Sequence, residues 1–398
     1  MLSQVRGALL ATLLTTGAQA AEPLRIGIIT DMSGQYADAN GPGAVIAAQM
    51  AAEDVGGAAL GRTIEVISGD HQNKPDVGAA IVREWIDNRG VNVVAESVNS
   101  SVALAVQAVT RNAKKIFLIS GSGSTELTGK QCSPTSVHWT YDTYASSHAT
   151  AKALLAQGGD KWFFLTADYA FGLSLAKDAT ATLNANGGKV VGEVRHPFHT
   201  MDFSSFLLQA QANKEANVIA LANAGSDFAN AARQYVEFGL DKSGKKLVGL
   251  QITITDVPGI GLDILKDIQF TDSFYWDRTD ETRAFAARFM ARKGEPPSSY
   301  QAGVYSAVRH YLRAVQAVGS EESAAVMAQM RATPVDDFFA HGGVIRDDGR
   351  MVHDMYLMRF KRPEESKSMW DLYAPVATIP GAQAFRPMKD GGCPFVGQ

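Results

Sequence analysis

The sequence predicts an α/β protein built from two doubly wound parallel sheets that follow one another along the chain. From residue 24 onward, short apolar runs alternate with helix-length amphipathic stretches, which is typical of parallel strands joined by crossover helices. The alternation stops near residue 120 and restarts near residue 161. This restart divides the chain into two lobes of the same architecture.

The first lobe opens with an apolar strand, LRIGIIT, at residues 24–30. A helix over residues 43–55 ends at the Gly56–Gly57 pair, because glycine readily adopts the left-handed conformation that closes a helix. Proline near the start of residues 75–88 favours a second helix there. The other elements expected in this lobe are strands over 63–68, 91–95 and 115–120 and a helix over 102–113.

The second lobe repeats this order. Its expected strands cover residues 161–166, 189–195, 217–222 and 246–251, and its helices cover 172–185, 203–212 and 227–238. A strand near 268–276 then leads into helices over 282–292 and 299–318. The last segment differs, because Asp347-Asp348-Gly349 between apolar runs at 342–346 and 351–362 is a hairpin signal.

The N-terminus predicts export. A positive charge at Arg6, an apolar core over residues 7–14 and the small residues around Gln19 form a secretory signal over residues 1–21, with cleavage after Ala20 or Ala21. The apolar core is too short to span a bilayer. No cysteine lies at the cleavage site, so we expect a periplasmic protein without a lipid anchor.

Composition narrows the possible partners. The chain has 398 residues, a net charge of −4 and no block of lysine or arginine, so nucleic acid is not an expected partner. After the signal, no run of about 18 apolar residues predicts a membrane span. The two cysteines, Cys132 and Cys393, predict one disulfide in an oxidising compartment, with two free thiols as the alternative.

The motifs of common enzyme classes are incomplete. Gly121-Ser122-Gly123 lacks the third glycine of a dinucleotide-binding loop, since Glu126 stands in its place, and no G-x-S-x-G nucleophile elbow occurs. His196, His199 and Asp202 could be imagined around a metal, but proline between the histidines is more typical of a loop. We therefore expect no cofactor, no metal and no enzyme, with a hydrolase using a cleft serine as a minor alternative.

Polar turns follow several predicted strands, at residues 31–36, 96–101, 121–125, 167–172 and 223–227. Doubly wound lobes bind ligands beyond the carboxyl ends of their strands, so these turns are expected to face a common crevice. Their hydroxyls and helix N-termini suit an anion such as a carboxylate. The same residues also serve as ordinary helix caps, and the sequence leaves both interpretations open.

Four segments carry a family resemblance: LRIGIITDMSG at the start, SGSGSTELT at 120–128, DYAFG at 168–172 and DFSSF at 202–206. On their order and spacing the chain resembles the type I periplasmic substrate-binding proteins of ABC importers, the leucine/isoleucine/valine-binding family. The resemblance implies two lobes joined by three crossing segments near 141–142, 272–273 and 343–353. The lobes would comprise 22–141 plus 273–345 and 142–272 plus 346–362, and the tail 363–398 would return towards the first lobe and bring Cys393 to Cys132.

The resemblance also implies a ligand site in the cleft. The positions that hold the ligand carboxylate in amino-acid-binding relatives fall on Asn99 or Ser100 and on Ser122 and Ser124. The family's aromatic positions fall on Phe171 and Tyr300.

One position departs from the family pattern. Where relatives place a carboxylate against the ligand ammonium, this chain has Gln251, and a neutral amide pairs poorly with a desolvated ammonium. This departure favours an aromatic or keto acid over a plain α-amino acid, with Gln251 and Asn223 bonded to its polar substituent. Tyr36 and Tyr144 belong to a set of aromatics that could stack on a flat ligand or pack the hinge, and Asp227 is expected to cap its helix.

The sequence thus predicts a monomeric binding protein that captures a small carboxylate-bearing ligand, an aromatic or keto acid or an amino acid. Lobe closure would trap this ligand for delivery to a permease in the inner membrane. A periplasmic ligand sensor of the same fold is the second hypothesis, and a serine hydrolase is the third.

Overall fold

A computed structural model describes residues 21–397 and confirms two α/β lobes, each built on a parallel sheet. The predicted signal peptide falls, except for Ala21, on residues outside those described. Within the described range, none of the helices combines the length and the apolar character that crossing a membrane requires.

The first lobe is built on a six-stranded sheet of order β2-β3-β1-β4-β5-β6. All pairs are parallel except β2 with β3. Side chains of β1 are buried on both faces of the sheet: Ile26 and Ile28 face one hydrophobic cluster and Ile29 faces another, which explains its continuous apolar run. The elements are β1 (Leu24–Thr30), α1 (Gly41–Asp54), β2 (Ala58–Ala59), β3 (Arg62–Asp70), α2 (Pro75–Asn88), β4 (Val91–Ala95), α3 (Ser100–Asn112), β5 (Ile116–Ile119) and β6 (Ser136–His138).

The second lobe is built on a four-stranded parallel sheet of order β10-β9-β7-β8. Its elements are α4 (Thr143–Ala156), β7 (Lys161–Ala167), α5 (Ala170–Ala185), β8 (Lys189–His196), α6 (Ser204–Ala212), β9 (Val218–Ala222), α7 (Ser226–Glu237), β10 (Lys246–Gly249), α8 (Val257–Ile260), α9 (Leu262–Leu265) and β11 (Gln269–Asp272).

The rest of the chain completes both lobes. Helices α10 to α12 and the small sheet β12-β13-β14 pack on the first lobe, while β15 and β16 join β11 in an antiparallel sheet on the second lobe. These elements are α10 (Asp280–Lys293), α11 (Ser299–Val318), α12 (Ser323–Ala332), β12 (Val335–Asp336), β13 (His341–Ile345), β14 (Met351–Val352), β15 (Met355–Phe360), β16 (Tyr373–Ile379) and α13 (Gly381–Ala384). The apolar run predicted as one strand over 351–362 is therefore two strands, because the chain changes lobe between them.

The first and third crossings lie side by side. Arg350, which is fully buried, donates from Nη1 to the carbonyl of Tyr141 at 2.9 Å. His353 Nε2 lies 2.6 Å from the carbonyl of Thr140. Both side chains belong to the third crossing and both carbonyls to the first, so these bonds join the two segments at the hinge.

The C-terminal tail makes a further connection between the lobes. Its beginning forms β16 on the second-lobe sheet, and it then returns to the first lobe, where Arg386 Nη2 donates to the carbonyl of Thr125 at 3.1 Å. Cys132 and Cys393 form a disulfide with their Cα atoms 5.6 Å apart. The predicted disulfide is confirmed, and the alternative of two free thiols is wrong.

Candidate ligand-binding site between the lobes

The carboxyl ends of the strands in both lobes meet at a narrow pocket with a cavity volume of about 10 Å³. This is about the space that one ordered water needs, so the lobes must move apart before a ligand can enter. The pocket is lined by Tyr36, Ala39, Val98, Gly121, Tyr141, Tyr169, Phe171, Ala224, Gly225, Thr253, Asp256 and Tyr300.

Five aromatic rings form most of the wall. Tyr36 and Tyr300 come from the first lobe, Tyr169 and Phe171 from the second, and Tyr141 from the first crossing. Tyr141 stacks on Tyr300 with ring centroids 5.2 Å apart and planes 20° apart. Tyr300 is held in place because it lies inside the capping box that Ser298 and Gln301 form at the start of α11. The wall therefore offers flat, amphipathic surfaces to a ligand.

The two lobes contact each other directly across this pocket. The hydroxyls of Tyr36 and Tyr169 lie 2.6 Å apart, and one donates to the other. Ser226 Oγ donates to Gln35 Oε1 at 2.8 Å, also from the second lobe to the first. The structure therefore represents a closed arrangement of the lobes.

The polar residues predicted to hold a carboxylate are bonded within and between the two turns at 96–101 and 121–125. Ser122 Oγ donates to the carbonyl of Ser97 at 2.7 Å, and Ser124 Oγ accepts from the N–H of Glu126. Ser100 Oγ accepts from the N–H groups of Gly123 and Ser124 at 3.3 and 3.2 Å. Asn99 Oδ1 caps α3. These four side chains hold the turns together, and the turns contribute Val98 and Gly121 to the pocket wall.

Gln251 lies just behind the aromatic wall. Its Nε2 donates to the hydroxyl of Tyr300 at 2.8 Å, and its Oε1 accepts from Ser146 Oγ at 2.7 Å. The amide is buried and bonded at both ends, so it positions a ring of the pocket.

Asn223 and Tyr144 are placed elsewhere. Asn223 is buried beside His196, with its Nδ2 3.1 Å from His196 Nε2. Tyr144 stacks on His148 with centroids 4.8 Å apart. Neither side chain lines the pocket, whereas the predicted Tyr36, Phe171 and Tyr300 do.

Asp256 is a pocket residue that the sequence reasoning missed. Its Oδ2 accepts from the N–H and the hydroxyl of Thr253, at 2.9 and 2.8 Å, in a capping box. Burial raises the pKa of this carboxyl, and the two bonds from Thr253 oppose that rise. The available signal was the spacing Thr253-x-x-Asp256 just after β10, which is typical of a helix start.

Two helices, α1 and α7, begin at the pocket without a side-chain cap, since Asn40 and Gly225 make no side-chain cap hydrogen bond. Helix α5 also begins there, but its first N–H, that of Ala170, donates to Ser101 Oγ at 3.4 Å. Free N–H groups and the helix dipole make such N-termini favourable for negative charge. The pocket thus combines one carboxylate with an electropositive backbone.

Asp227 does not cap α7, which corrects the expectation from sequence. It is buried and accepts from the N–H groups of His199 and Thr200 at 3.1 and 2.6 Å. Burial raises its pKa to about 6. Within the described part of the chain, no group of three or more histidine, cysteine or carboxylate side chains could hold a metal ion.

A family profile for periplasmic binding proteins matches residues 23–367. The chain belongs to the periplasmic binding protein family. The predicted recognition, a type I substrate-binding protein of ABC importers in the leucine/isoleucine/valine-binding family, is confirmed. Membership implies an extracytoplasmic location, and the family and fold are those of transport-associated binding proteins.

Solved structures and a curated relative agree with this assignment. A periplasmic binding protein from Burkholderia mallei is 48% identical, with a TM-score of 0.92, covering 95% of this chain and 100% of that one. A branched-chain amino acid ABC transporter periplasmic ligand-binding protein from Burkholderia xenovorans LB400 is 40% identical, with a TM-score of 0.84, covering 94% and 99%. The Leu/Ile/Val-binding protein homolog 6 of Brucella melitensis is 25% identical over 321 residues, 78% of this chain and 80% of the relative.

Proposed function

We propose that this protein captures a small zwitterion, an α-amino acid with an apolar or aromatic side chain, between its lobes and delivers it to an ABC permease. The observation that carries the proposal is the carboxylate of Asp256 in an otherwise aromatic and apolar pocket. The name of the Burkholderia xenovorans relative, 40% identical, also supports an amino acid.

The charge distribution of the pocket suits a zwitterion. The lining residues include no lysine, arginine or histidine, so a simple anion would meet Asp256 without a cationic side chain to offset it. An ammonium group would pair with the oxygen of Asp256 that Thr253 leaves free, in a site where desolvation strengthens the attraction. The ligand carboxylate would be bound by N–H groups at the uncapped starts of α1 and α7.

The aromatic wall would bind the ligand side chain. The faces of Tyr36, Tyr141, Tyr169, Phe171 and Tyr300 bury an apolar or aromatic group and add ring contacts of roughly 0.5–1.5 kcal/mol each. Because the wall comes from both lobes, a ligand between them stabilises the closed state over the open one. Closure of this kind is how two-lobed binding proteins commonly trap small molecules.

The experiment is a thermal-shift panel of amino acids, aromatic acids and keto acids on the mature protein, followed by calorimetric titration of the hits. A ligand that binds only the folded state must raise the melting temperature. We expect amino acids to give the largest shifts. Asp256→Asn should weaken amino-acid binding about tenfold or more, because a charge-assisted bond is lost. Asp263→Asn, an exposed carboxylate on the nearby α9, is the matched control.

An aromatic or keto acid is the second candidate, supported by the raised pKa of Asp256. A protonated Asp256 would donate to a ligand carboxylate, so acid binding would strengthen as the pH falls through this pKa. Asp256→Asn would then preserve or improve affinity, since an amide also donates. Loss of amino-acid binding in this variant supports the first proposal, and unchanged or improved acid binding supports the second.

A further inference from the structure

A second concave site lies on the first lobe, away from the pocket between the lobes. The groove runs between α11 and α12 and has a volume of about 360 Å³, within the range of small-molecule sites. Its walls include Arg309, His310 and Arg313 on α11 and Asp336 and Asp337 on the opposite side.

Two arginines on one face of α11 dominate this groove. Arg309 and Arg313 are one helical turn apart, so both guanidinium groups project from the same side of the helix. Arg309 is half-buried and Arg313 is exposed. Within residues 21–397 neither guanidinium makes a hydrogen bond or a salt bridge, although Arg309 interacts electrostatically with the carboxylate of Asp54. By contrast, Arg288 on neighbouring α10 makes a two-bond pair with Asp54, at 2.9 and 2.7 Å.

The acids on the opposite wall already have partners. Asp337 accepts from Ser306 Oγ at 2.8 Å and from the N–H groups of Phe339 and Ala340 at 2.9 and 3.2 Å. Asp336 Oδ1 lies 3.0 Å from His341 Nδ1. Ser306 lies on α11 one turn before Arg309, so Asp337 is bonded to the helix that carries the arginines, and neither acid forms a salt bridge with them.

The histidine of the groove adds an acceptor. His310 Nε2 lies 3.0 Å from the carbonyl of Met330 and therefore donates to it, which leaves Nδ1 with a lone pair. The groove thus combines two guanidinium groups that make no hydrogen bond within the described residues, and are suited to bidentate oxyanion binding, with one neutral acceptor for a hydroxyl.

From this arrangement we infer that the groove between α11 and α12 is a binding site for a small molecule carrying one oxyanion group, a carboxylate or a phosphate. Arg309 and Arg313 bind the oxyanion, and His310 accepts a hydrogen bond from a neighbouring hydroxyl. The Asp336–Asp337 wall disfavours a second negative group on the ligand. The inference is independent of the ligand between the lobes.

The test titrates the full mature protein with glycerol 3-phosphate, inorganic phosphate, lactate and acetate in separate arms at low ionic strength, followed by calorimetry and by NMR of the arginine side chains. We expect saturable binding in the phosphate or the carboxylate arms, and the stronger pair identifies the oxyanion. A hydroxyl-bearing probe should bind better than its plain partner, and added salt should weaken binding.

The variant is Arg309→Gln with Arg313→Gln, and the control is Arg83→Gln, an exposed arginine on α2 of the same lobe. The double variant should lose about tenfold or more in affinity, because its charge-assisted bonds are removed, while the control binds as wild type. Amino-acid binding between the lobes should stay unchanged in both. The inference would be overturned if no probe saturated the protein up to about 10 mM, since binding weaker than this does not define a useful site. Equal binding by the double variant and the wild type would also overturn it.

Discussion

The hydrogen bond between the hydroxyls of Tyr36 and Tyr169 allows the energy of the contact between the lobes to be tested. The two oxygens lie 2.6 Å apart in the closed structure, and both side chains line the pocket. In an open form each hydroxyl would be hydrated, so the bond contributes to closure rather than to the folding of either lobe. We therefore predict that removing either hydroxyl shifts the equilibrium from closed towards open.

The size of the effect on closure depends on whether the substitution leaves the other tyrosine hydroxyl without a hydrogen-bond partner. A hydrogen bond between neutral groups contributes about 1 kcal/mol net, while a buried hydroxyl left unpartnered costs about 1–3 kcal/mol. Tyr169→Phe or Tyr36→Phe alone should therefore weaken the closed state by about 1–2 kcal/mol and raise the apparent Kd roughly 5- to 30-fold. The double variant removes both groups and should cost about 1 kcal/mol, no more than either single change.

The assay is calorimetric titration of all four proteins with the amino acid that gives the largest thermal shift, together with small-angle scattering to measure the closed fraction. Tyr235→Phe is the matched control, because its hydroxyl donates to the carbonyl of Lys245 inside the second lobe. The control should lower thermal stability and leave Kd unchanged. Additive effects of Tyr36→Phe and Tyr169→Phe, or an unchanged Kd in both, would refute the reasoning.

Two further predictions concern stability. Reducing the Cys132–Cys393 bond, or replacing Cys393 by serine, should lower the melting temperature. A cross-link between residues 261 apart stabilises the fold by roughly 5 kcal/mol in the chain-entropy treatment. Calorimetry with and without reductant measures the change, and equal melting temperatures would contradict the prediction. Burial raises the pKa of Asp178 in the folded protein to about 6 from 3.8, so the folded state binds this proton more tightly. The tighter proton binding by Asp178 adds up to about 3 kcal/mol to the free energy of unfolding. This stabilisation is fully present below about pH 4 and is lost as the pH rises through 6. Urea unfolding from pH 4 to 7 should show a shallower pH dependence for Asp178→Asn, and an identical slope would count against the assignment.

The strands and helices with strong local patterns could be predicted from sequence. The bounds of β1, α2, β4 and α11 match the expectation, because apolar runs and a proline near a helix start are local signals. Helix α4 was missed, since its sequence TYASSHATAKALLA mixes small and polar residues without a clear apolar stripe. The positions at which the chain changes lobe stay a prediction, because they depend on tertiary contacts such as those of Arg350.

The sequence predicts where the candidate site lies in the fold, but it predicts only some of the residues that line the pocket. The crevice at the strand ends follows from topology, and Tyr36, Phe171 and Tyr300 do line it. The serines could not be assigned, because a hydroxyl in a turn has several possible partners and the sequence does not indicate which one it binds. Asp256 was missed because it lies five residues beyond Gln251, on a turn whose path only the fold determines.

The returning tail has a mechanical consequence. Phe385 of the tail lies under the Arg350 guanidinium, 4.6 Å from ring centroid to Cζ, so the tail runs beside the first and third crossings. It is anchored to one lobe by β16 and covalently to the other through Cys393. The two crossings and the tail can bend together at little cost when the lobes rotate about an axis perpendicular to these segments. A twist of one lobe against the other would instead stretch the outermost segment between its two attachment points. We therefore expect the lobes to open about one axis and each closure to bring Tyr36 back opposite Tyr169.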